Sequence, residues 1–412
     1  MDEKTLKRQM SARWGLLIVD VILLLVLGLI YAWSVFRGPL MADLGDGVKS
    51  TFTITMIMFC IGGLVGGIIN SKTSPKVTML LCLVFVVIGV FGTSMVTSAF
   101  GVFLTYGVCY GFGVGLGYNT AISTVVQWFP DKQGLASGIM LMGFGFGSMI
   151  LGMVASAMMT AMGWRMTFKI LAVALGVILL IGAFVLRPAS PELIQHLTQG
   201  GGKAKSAVEE LNTAGMLQRR NFWLFMIWAI LLSAAGLVVI NVSAPYAEMF
   251  VGAGASAGIA GIVSIANGGG RVLFGGLFDK IGYRLTMLLN CLICIVAGFV
   301  LLASQATMST VVLVIAFVLI GVSYGGAPTS ASAFCAYFFG RKHYSVNFPI
   351  INLNLIVASV LGPMLANSGY TLGFTSIIVF GIASAILVFL LKKPENAWLN
   401  SDKERNHLST VS

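Results

Sequence analysis

Runs of about 20 apolar residues recur along this whole chain, each long enough to cross about 30 Å of hydrocarbon as a helix. In that solvent only the chain itself can satisfy the backbone N–H and C=O groups, so such runs must be helical. Twelve are found, at roughly 14–36, 50–70, 75–97, 100–126, 133–157, 164–186, 221–246, 253–278, 284–304, 309–337, 343–366 and 370–391. Of the 412 residues 58% are hydrophobic and 9% charged, whereas a soluble domain is about a quarter charged. The first run follows Lys4, Lys7, Arg8 and Arg13. It is too long for a secretory signal and lacks a small-residue cleavage site, so it is expected to remain as the first helix. The expected fold class is an all-α membrane protein with twelve transmembrane helices.

Charge placement sets the expected orientation. With the N-terminus inside, the inner segments hold 20 of the 25 Lys and Arg residues. The outer side holds only Arg37, Lys49, Arg165 and Lys169, and Arg271 lies within an apolar run. Such asymmetry places both termini in the cytoplasm. It also accounts for the net charge of +11 through topology and attraction to anionic lipid headgroups. The basic residues are scattered through short loops and form no groove-sized patch, so no nucleic-acid partner is expected. The lack of a long targeting segment fits a bacterial inner membrane.

Arg271 stands in NGGGRVLFGGLFDKIG, residues 267–282, about 12 Å along a helix from Asp279 at 1.5 Å per residue. Even the lowest scale assigns about 2.5–3.5 kcal/mol to such a charge at a helix centre. An anion that uses the guanidinium would explain its retention, because the fork matches a carboxylate through two parallel hydrogen bonds. Gly268, Gly269 and Gly270 leave room beside it. The competing reading is a structural ion pair or a snorkelling side chain, and depth argues against snorkelling. Asp20 is the other charge in an apolar run, six residues past Trp14. It has two open readings, as a proton carrier or as the partner of a helix neighbour.

Cys60, Cys82, Cys109, Cys291, Cys294 and Cys335 all fall within apolar runs. The Cys291-x-x-Cys294 spacing has no histidine or carboxylate nearby and reads as structural, not as a metal or redox site. His196, His343 and His407 lie in or beside inner loops. No cofactor or metal is expected.

The chain divides around residues 187–220, its one long polar stretch. The expected organisation is a six-helix half at 1–186, a cytoplasmic linker at 187–220, a second half at 221–391 and a tail at 392–412. An internal repeat supports it: an offset of 210 maps Trp128-Phe129 onto Phe338-Phe339, Lys132 onto Lys342 and Gly152 onto Gly362, and an offset of 209 maps Asn70 onto Asp279. That pattern fits parallel halves from an old duplication.

At Gly275, Asp279, Lys280, Gly282 and Arg284 the chain resembles the major facilitator family, whose signature loop is Gly-x-x-x-Asp-basic-x-Gly-x-basic. The resemblance implies a conformational latch, with charges at a helix end making contacts that are broken and remade between states. The first-half copy, GGIINSKTSPK, has Asn70 in place of the Asp and Ser74 in place of the second Gly. Within the family the chain looks like the oxalate:formate antiporter group and its monocarboxylate-carrier relatives. The residues are YAWSVF (31–36), GLGYNTAISTVVQWFPDKQGLASG (115–138), NGGGR (267–271) and YFFGRKHYSVNF (337–348). The resemblance implies that Arg271 holds a substrate carboxylate. Asn267 stands where proton-coupled carriers of this kind place an acid, and Leu355 where the oxalate carrier has a second cation. One cationic centre suits a monovalent anion, since a second negative charge would be poorly paired in a low-dielectric cavity.

Tyr31, Tyr118, Asn119, Asn241, Asn267, Tyr324, Asn352 and Asn354 are candidates to complete the pocket, or to make interhelical hydrogen bonds instead. Trp33, Trp128, Trp164 and Trp223 are expected as interface anchors. A channel would need a filter or a ring of charge, and an intramembrane enzyme a nucleophile with a base or a metal cluster; neither pattern is present. The expectation is a monomeric secondary transporter of small monocarboxylates such as lactate, pyruvate, formate or acetate, by exchange or proton symport. The alternatives are a dicarboxylate exchanger of the oxalate/formate type or a carboxylate sensor that moves nothing.

Overall fold

The computed structural model describes residues 3–200 and 210–393. Lys203, Lys205, Lys403, Arg405, His407 and nearly all of the expected tail lie outside the described residues. Every regular element among the described residues is helical. Among the described residues ten helices are long and apolar enough to cross a membrane. One of them, Gln133–Val185, turns back at Gly163, whose φ of 76° and ψ of 163° interrupt the helix and make it two spans. Glycine suits that position because a side chain is strained at positive φ. Ala253–Ile281, rich in glycine and carrying Arg271, Asp279 and Lys280, supplies a twelfth.

We number the spans α1 to α12. α1 runs through Glu3–Leu27, a 3-10 turn at Gly28–Ala32, and Trp33–Leu44. α2 is Thr51–Lys72 and α3 is Pro75–Thr93. α4 comprises Ala99–Val102, a π-helical stretch at Phe103–Tyr110, and Gly111–Val125. α5 covers 133–162 and α6 covers 164–185. α7 is Arg220–Val251, α8 is Ala253–Ile281, α9 is Tyr283–Thr307 and α10 is Thr310–Phe339. α11 is broken into Tyr344–Asn352 and Asn354–Asn367, and α12 is Tyr370–Leu390. Two short helices, Pro191–Gly200 and Thr213–Gln218, lie in the linker.

Side chains such as Val173, Phe184, Ile382 and Phe389 are more than 45% exposed, as expected of a surface that faces lipid tails instead of water. Inside the bundle, small residues let backbones approach closely. A Cβ at Gly62 would overlap the Phe112 carbonyl, and one at Gly115 would overlap the Phe59 carbonyl, so α2 and α4 pack through glycine. The tryptophan expectation needs correction. Trp223 is exposed, but Trp33, Trp128 and Trp164 are buried. Trp128 Nε1 donates to the Arg187 carbonyl at 2.9 Å and Trp164 Nε1 to the Asp43 carboxylate at 3.1 Å. Those two rings pack inward because each N–H finds a protein acceptor, whereas Trp33 has no acceptor among the described residues and is buried by ring packing, 4.8 Å from Tyr106.

Gly62→Ala should lower the thermal unfolding midpoint in detergent, since overpacking a tight contact costs about 1–3 kcal/mol. Gly269→Ala, which meets nothing within 4 Å, should leave that midpoint unchanged or slightly raised.

Candidate functional site

Breaks in regular helix bring polar side chains to one level of the bundle. In α1 the 3-10 turn carries Tyr31, and Gly28 in that turn lies directly against the Phe144 carbonyl of α5. In α4 the π-helical stretch precedes the segment that carries Tyr118. In α11 the break falls between Asn352 and Asn354. Asn354 Nδ2 donates to the Ile351 carbonyl at 2.7 Å, and its Oδ1 accepts from Ser233 Oγ of α7 at 3.1 Å. Side-chain amides of this kind replace ladder bonds that a broken helix forgoes in hydrocarbon.

Arg271 of α8 is 3% exposed. Its Nε donates to Asn267 Oδ1 one turn earlier at 3.1 Å. Its Nη1 donates to the Leu141 carbonyl of α5 at 2.6 Å, across to the first six spans. A guanidinium has five N–H donors, and these bonds use two. Among the described residues no carboxylate pairs with it. Cζ lies 3.5 Å from where a Cβ would stand at Gly145, so that glycine gives the guanidinium its space.

Tyr31, Tyr118 and Tyr324 each lie within electrostatic reach of Arg271, and Tyr31 within reach of the other two phenols. Their hydroxyls make no hydrogen bond among the described residues. Unlike those of Tyr106 and Tyr110, they are not sealed from accessible space. The walls are aromatic: Phe144 lies 5.3 Å from Tyr31 and 4.8 Å from Tyr118, and Phe59 lies 5.1 Å from Tyr118. Asn352 joins this level through its carbonyl, which accepts from Cys60 Sγ at 3.8 Å. One cation with unused donors, phenol hydroxyls without partners and apolar walls are thus gathered in one place.

Three other candidates lie elsewhere. Asn119 Nδ2 donates to the Ser345 carbonyl at 2.8 Å, tying α4 to α11 nearer the linker end. Asn241 is exposed, and no hydrogen bond joins it to the cluster among the described residues. Asp20 is fully enclosed, and neither carboxylate oxygen is hydrogen-bonded among the described residues; α1 there packs on α4 and α5. The Leu141 carbonyl, Phe59, Phe144 and Gly145 were not foreseen. Only the glycine pattern Gly143-x-Gly145-x-Gly147 hinted that α5 meets something closely.

Towards the linker end the first and last six spans are closed on each other. Asp279 receives the Gly134 and Leu135 backbone N–H groups at 2.9 and 2.8 Å, capping the N-terminus of α5 from the opposite set; a carboxylate there is favoured by the helix dipole. Gly275 lies directly against Gly134, and Gly138 against the Arg271 carbonyl. Ser137 Oγ, Ser332 Oγ and the Tyr344 hydroxyl form a buried chain at 2.6 and 2.8 Å. Arg341 donates to the Pro130 carbonyl at 3.0 Å and to Gln133 Oε1 at 3.2 Å. Burial pushes the Arg341 pKa down, against the pull of Glu210, Asp131 and Asp279, without discharging a guanidinium. Gly282, at φ 82°, makes the turn into α9. Lys280 is exposed, and Arg284 contacts α12 at Phe389, within its own set. On the far side of Arg271, Gly258 and Gly261 of α8 have no neighbour within 4 Å of a would-be Cβ.

A family model described as Major Facilitator Superfamily matches residues 19–354. The chain belongs to the major facilitator superfamily. It is therefore a membrane transporter and not an enzyme. Among relatives within this superfamily, the oxalate:formate antiporter of Oxalobacter formigenes is 27% identical over 396 residues, 91% of each chain. The transporter YhjX of Escherichia coli K12 is 25% identical over 353 residues, 84% of this chain and 86% of the relative. Human monocarboxylate transporter 12 is 28% identical over 121 residues, 29% of this chain and 22% of the relative. Among solved structures the proton:xylose symporter XylE has a TM-score of 0.67 at 18% identity, covering 92% of this chain and 95% of its own. The fucose:proton symporter FucP has 0.65 at 12%, covering 93% and 99%. Those two likenesses bear on the major facilitator fold alone.

Asp279→Asn should loosen the closed end, because a charge at a helix terminus contributes about 0.3–1 kcal/mol. The expected outcome is alkylation of Cys60 about two- to five-fold faster, read by peptide mass spectrometry.

Proposed function

We propose that this transporter carries small monocarboxylate anions, of the lactate, pyruvate, formate or acetate class, by alternating access. The observation that carries the reading is the Arg271 guanidinium, unneutralised by any described carboxylate and facing three unbonded phenol hydroxyls. A carboxylate takes two parallel hydrogen bonds from the free donors, and Tyr31, Tyr118 and Tyr324 bond its remaining lone pairs or a neighbouring hydroxyl. With no second cation beside Arg271 and Leu355 at the corresponding level of α11, one negative charge is matched and two are not.

In this reading the halves 1–186 and 221–391 rock about the site as a monomer, with both termini in the cytoplasm of a bacterial inner membrane. The described conformation is then closed inward, latched by Asp279 on α5. Exchange is the favoured mode, because the empty carrier would have to occlude an unpaired guanidinium, whereas the loaded one is neutral at that point. The oxalate:formate antiporter relative, an exchanger by name, agrees with that mode. Proton symport is the second reading, favoured by the enclosed and unpartnered Asp20.

The test is counterflow in proteoliposomes. Labelled lactate or formate should enter when unlabelled monocarboxylate is loaded inside, and Arg271→Gln should abolish entry while leaving insertion intact; entry at the normal rate in that variant overturns the reading. Uptake driven by a pH gradient alone, and lost in Asp20→Asn, would select symport. Asn267→Asp sets a carboxylate against the guanidinium in competition with substrate, so KM should rise about ten-fold, the worth of one charge-assisted hydrogen bond. It should recover as pH falls and the introduced carboxylate is protonated.

A further inference from the structure

The turn between α10 and α11 is gripped from two directions. From the first six spans come the Arg341 bonds to Pro130 and Gln133, the Asn119 bond to the Ser345 carbonyl, and Gly67 lying against that same carbonyl. From the other direction comes the linker. Leu211 N–H donates to the Phe339 carbonyl at 3.1 Å, and Lys342 N–H donates to the Glu210 carboxylate at 2.8 Å. Asn347, fully buried, spends both ends of its amide on the linker. Its Nδ2 donates to the Leu211 carbonyl at 2.9 Å, and its Oδ1 accepts from Thr213 Oγ1 at 3.0 Å.

Residues 340–343 have no regular helical bonding and begin with Gly340 at φ 82°. Left to itself such a segment would have to be ordered each time the inner end closed. We propose that linker residues 210–213, acting through Asn347, are positioning residues for closure. They hold the 339–347 turn in the shape that Pro130, Gln133 and Asn119 receive, so closure engages a preorganised surface and not a loose one. The linker is then part of the gate as well as a tether, and its contacts set how much of the population is closed inward. Two-state gating makes this measurable at a distance: segments of the first half that make no described hydrogen bond to the linker must respond to its loss.

The experiment is hydrogen–deuterium exchange on the full-length protein in lipid nanodiscs, comparing wild type, Thr213→Val and Thr213→Ser. Thr213→Val removes the donor to Asn347 at nearly constant volume. It should speed exchange in 64–72 and 130–138 by about five-fold, the weight of one net hydrogen bond, while Thr213→Ser restores wild-type rates. Faster exchange confined to 210–218 and 339–347 would mean local fraying with no hold on the gate, and would overturn the proposal. Unchanged exchange throughout would do the same. If Thr213→Val does not fold, Glu210→Ala serves in its place, since it removes the acceptor of the Lys342 N–H, with the same segments expected to respond.

Discussion

The approach of α5 to α8, backbone against backbone, is the contact on which the rest of this structure depends. Glycine at 134, 138 and 275 removes the side chains that would hold the helices apart. Only because they are absent can the Arg271 guanidinium reach the Leu141 carbonyl and the Asp279 carboxylate reach the first amides of α5. In hydrocarbon there is no hydrophobic gain from bringing two apolar helices together, so close packing and interhelical hydrogen bonds carry the association. The candidate site and the closed end thus share one interface.

The two sets of spans do not close symmetrically. Asp279 crosses to the opposite set, whereas Asn70, its counterpart by the internal repeat, donates to Ser123 within its own set at 3.2 Å. Across the second seam the joining is done by Asn119, Gly67 and the Arg341 turn. A charged cap on a helix dipole serves one seam, and neutral amide and guanidinium bonds to carbonyls serve the other. The first seam thus uses an anion on N–H donors and the second a cation on carbonyl acceptors, so the two seams differ in the sign of the charge that joins them.

Much of the fold was legible in the residues. The apolar runs marked every span, including the glycine-rich α8. The candidate site was legible in part. Arg271 stood out because a lone charge in hydrocarbon demands a reason, and Tyr31, Tyr118 and Tyr324 do gather around it. Asn119 and Asn241 looked equivalent to them in sequence, yet one ties two helices and the other is exposed. Tyr118 and Asn119 are neighbours in α4, so which one meets the cluster depends on how that helix is turned, and the π-helical stretch before them shifts the turn; for Asn241 it depends on which face α7 buries, which its neighbours decide. The burial of Trp33, Trp128 and Trp164 was hidden for a related reason: their partners lie on other helices or loops.

What the sequence determined by itself was the solvent, the helices and the presence of a buried cation, because hydropathy and charge act locally and the bilayer admits few alternatives. What only the tertiary structure decided was the cation's company: a carbonyl from α5, an amide one turn away and phenols from three helices, with Asp20 left apart. Those relations depend on register between helices far apart in the chain, and register is fixed by where glycine lets backbones meet, a property of pairs of helices that no single segment contains.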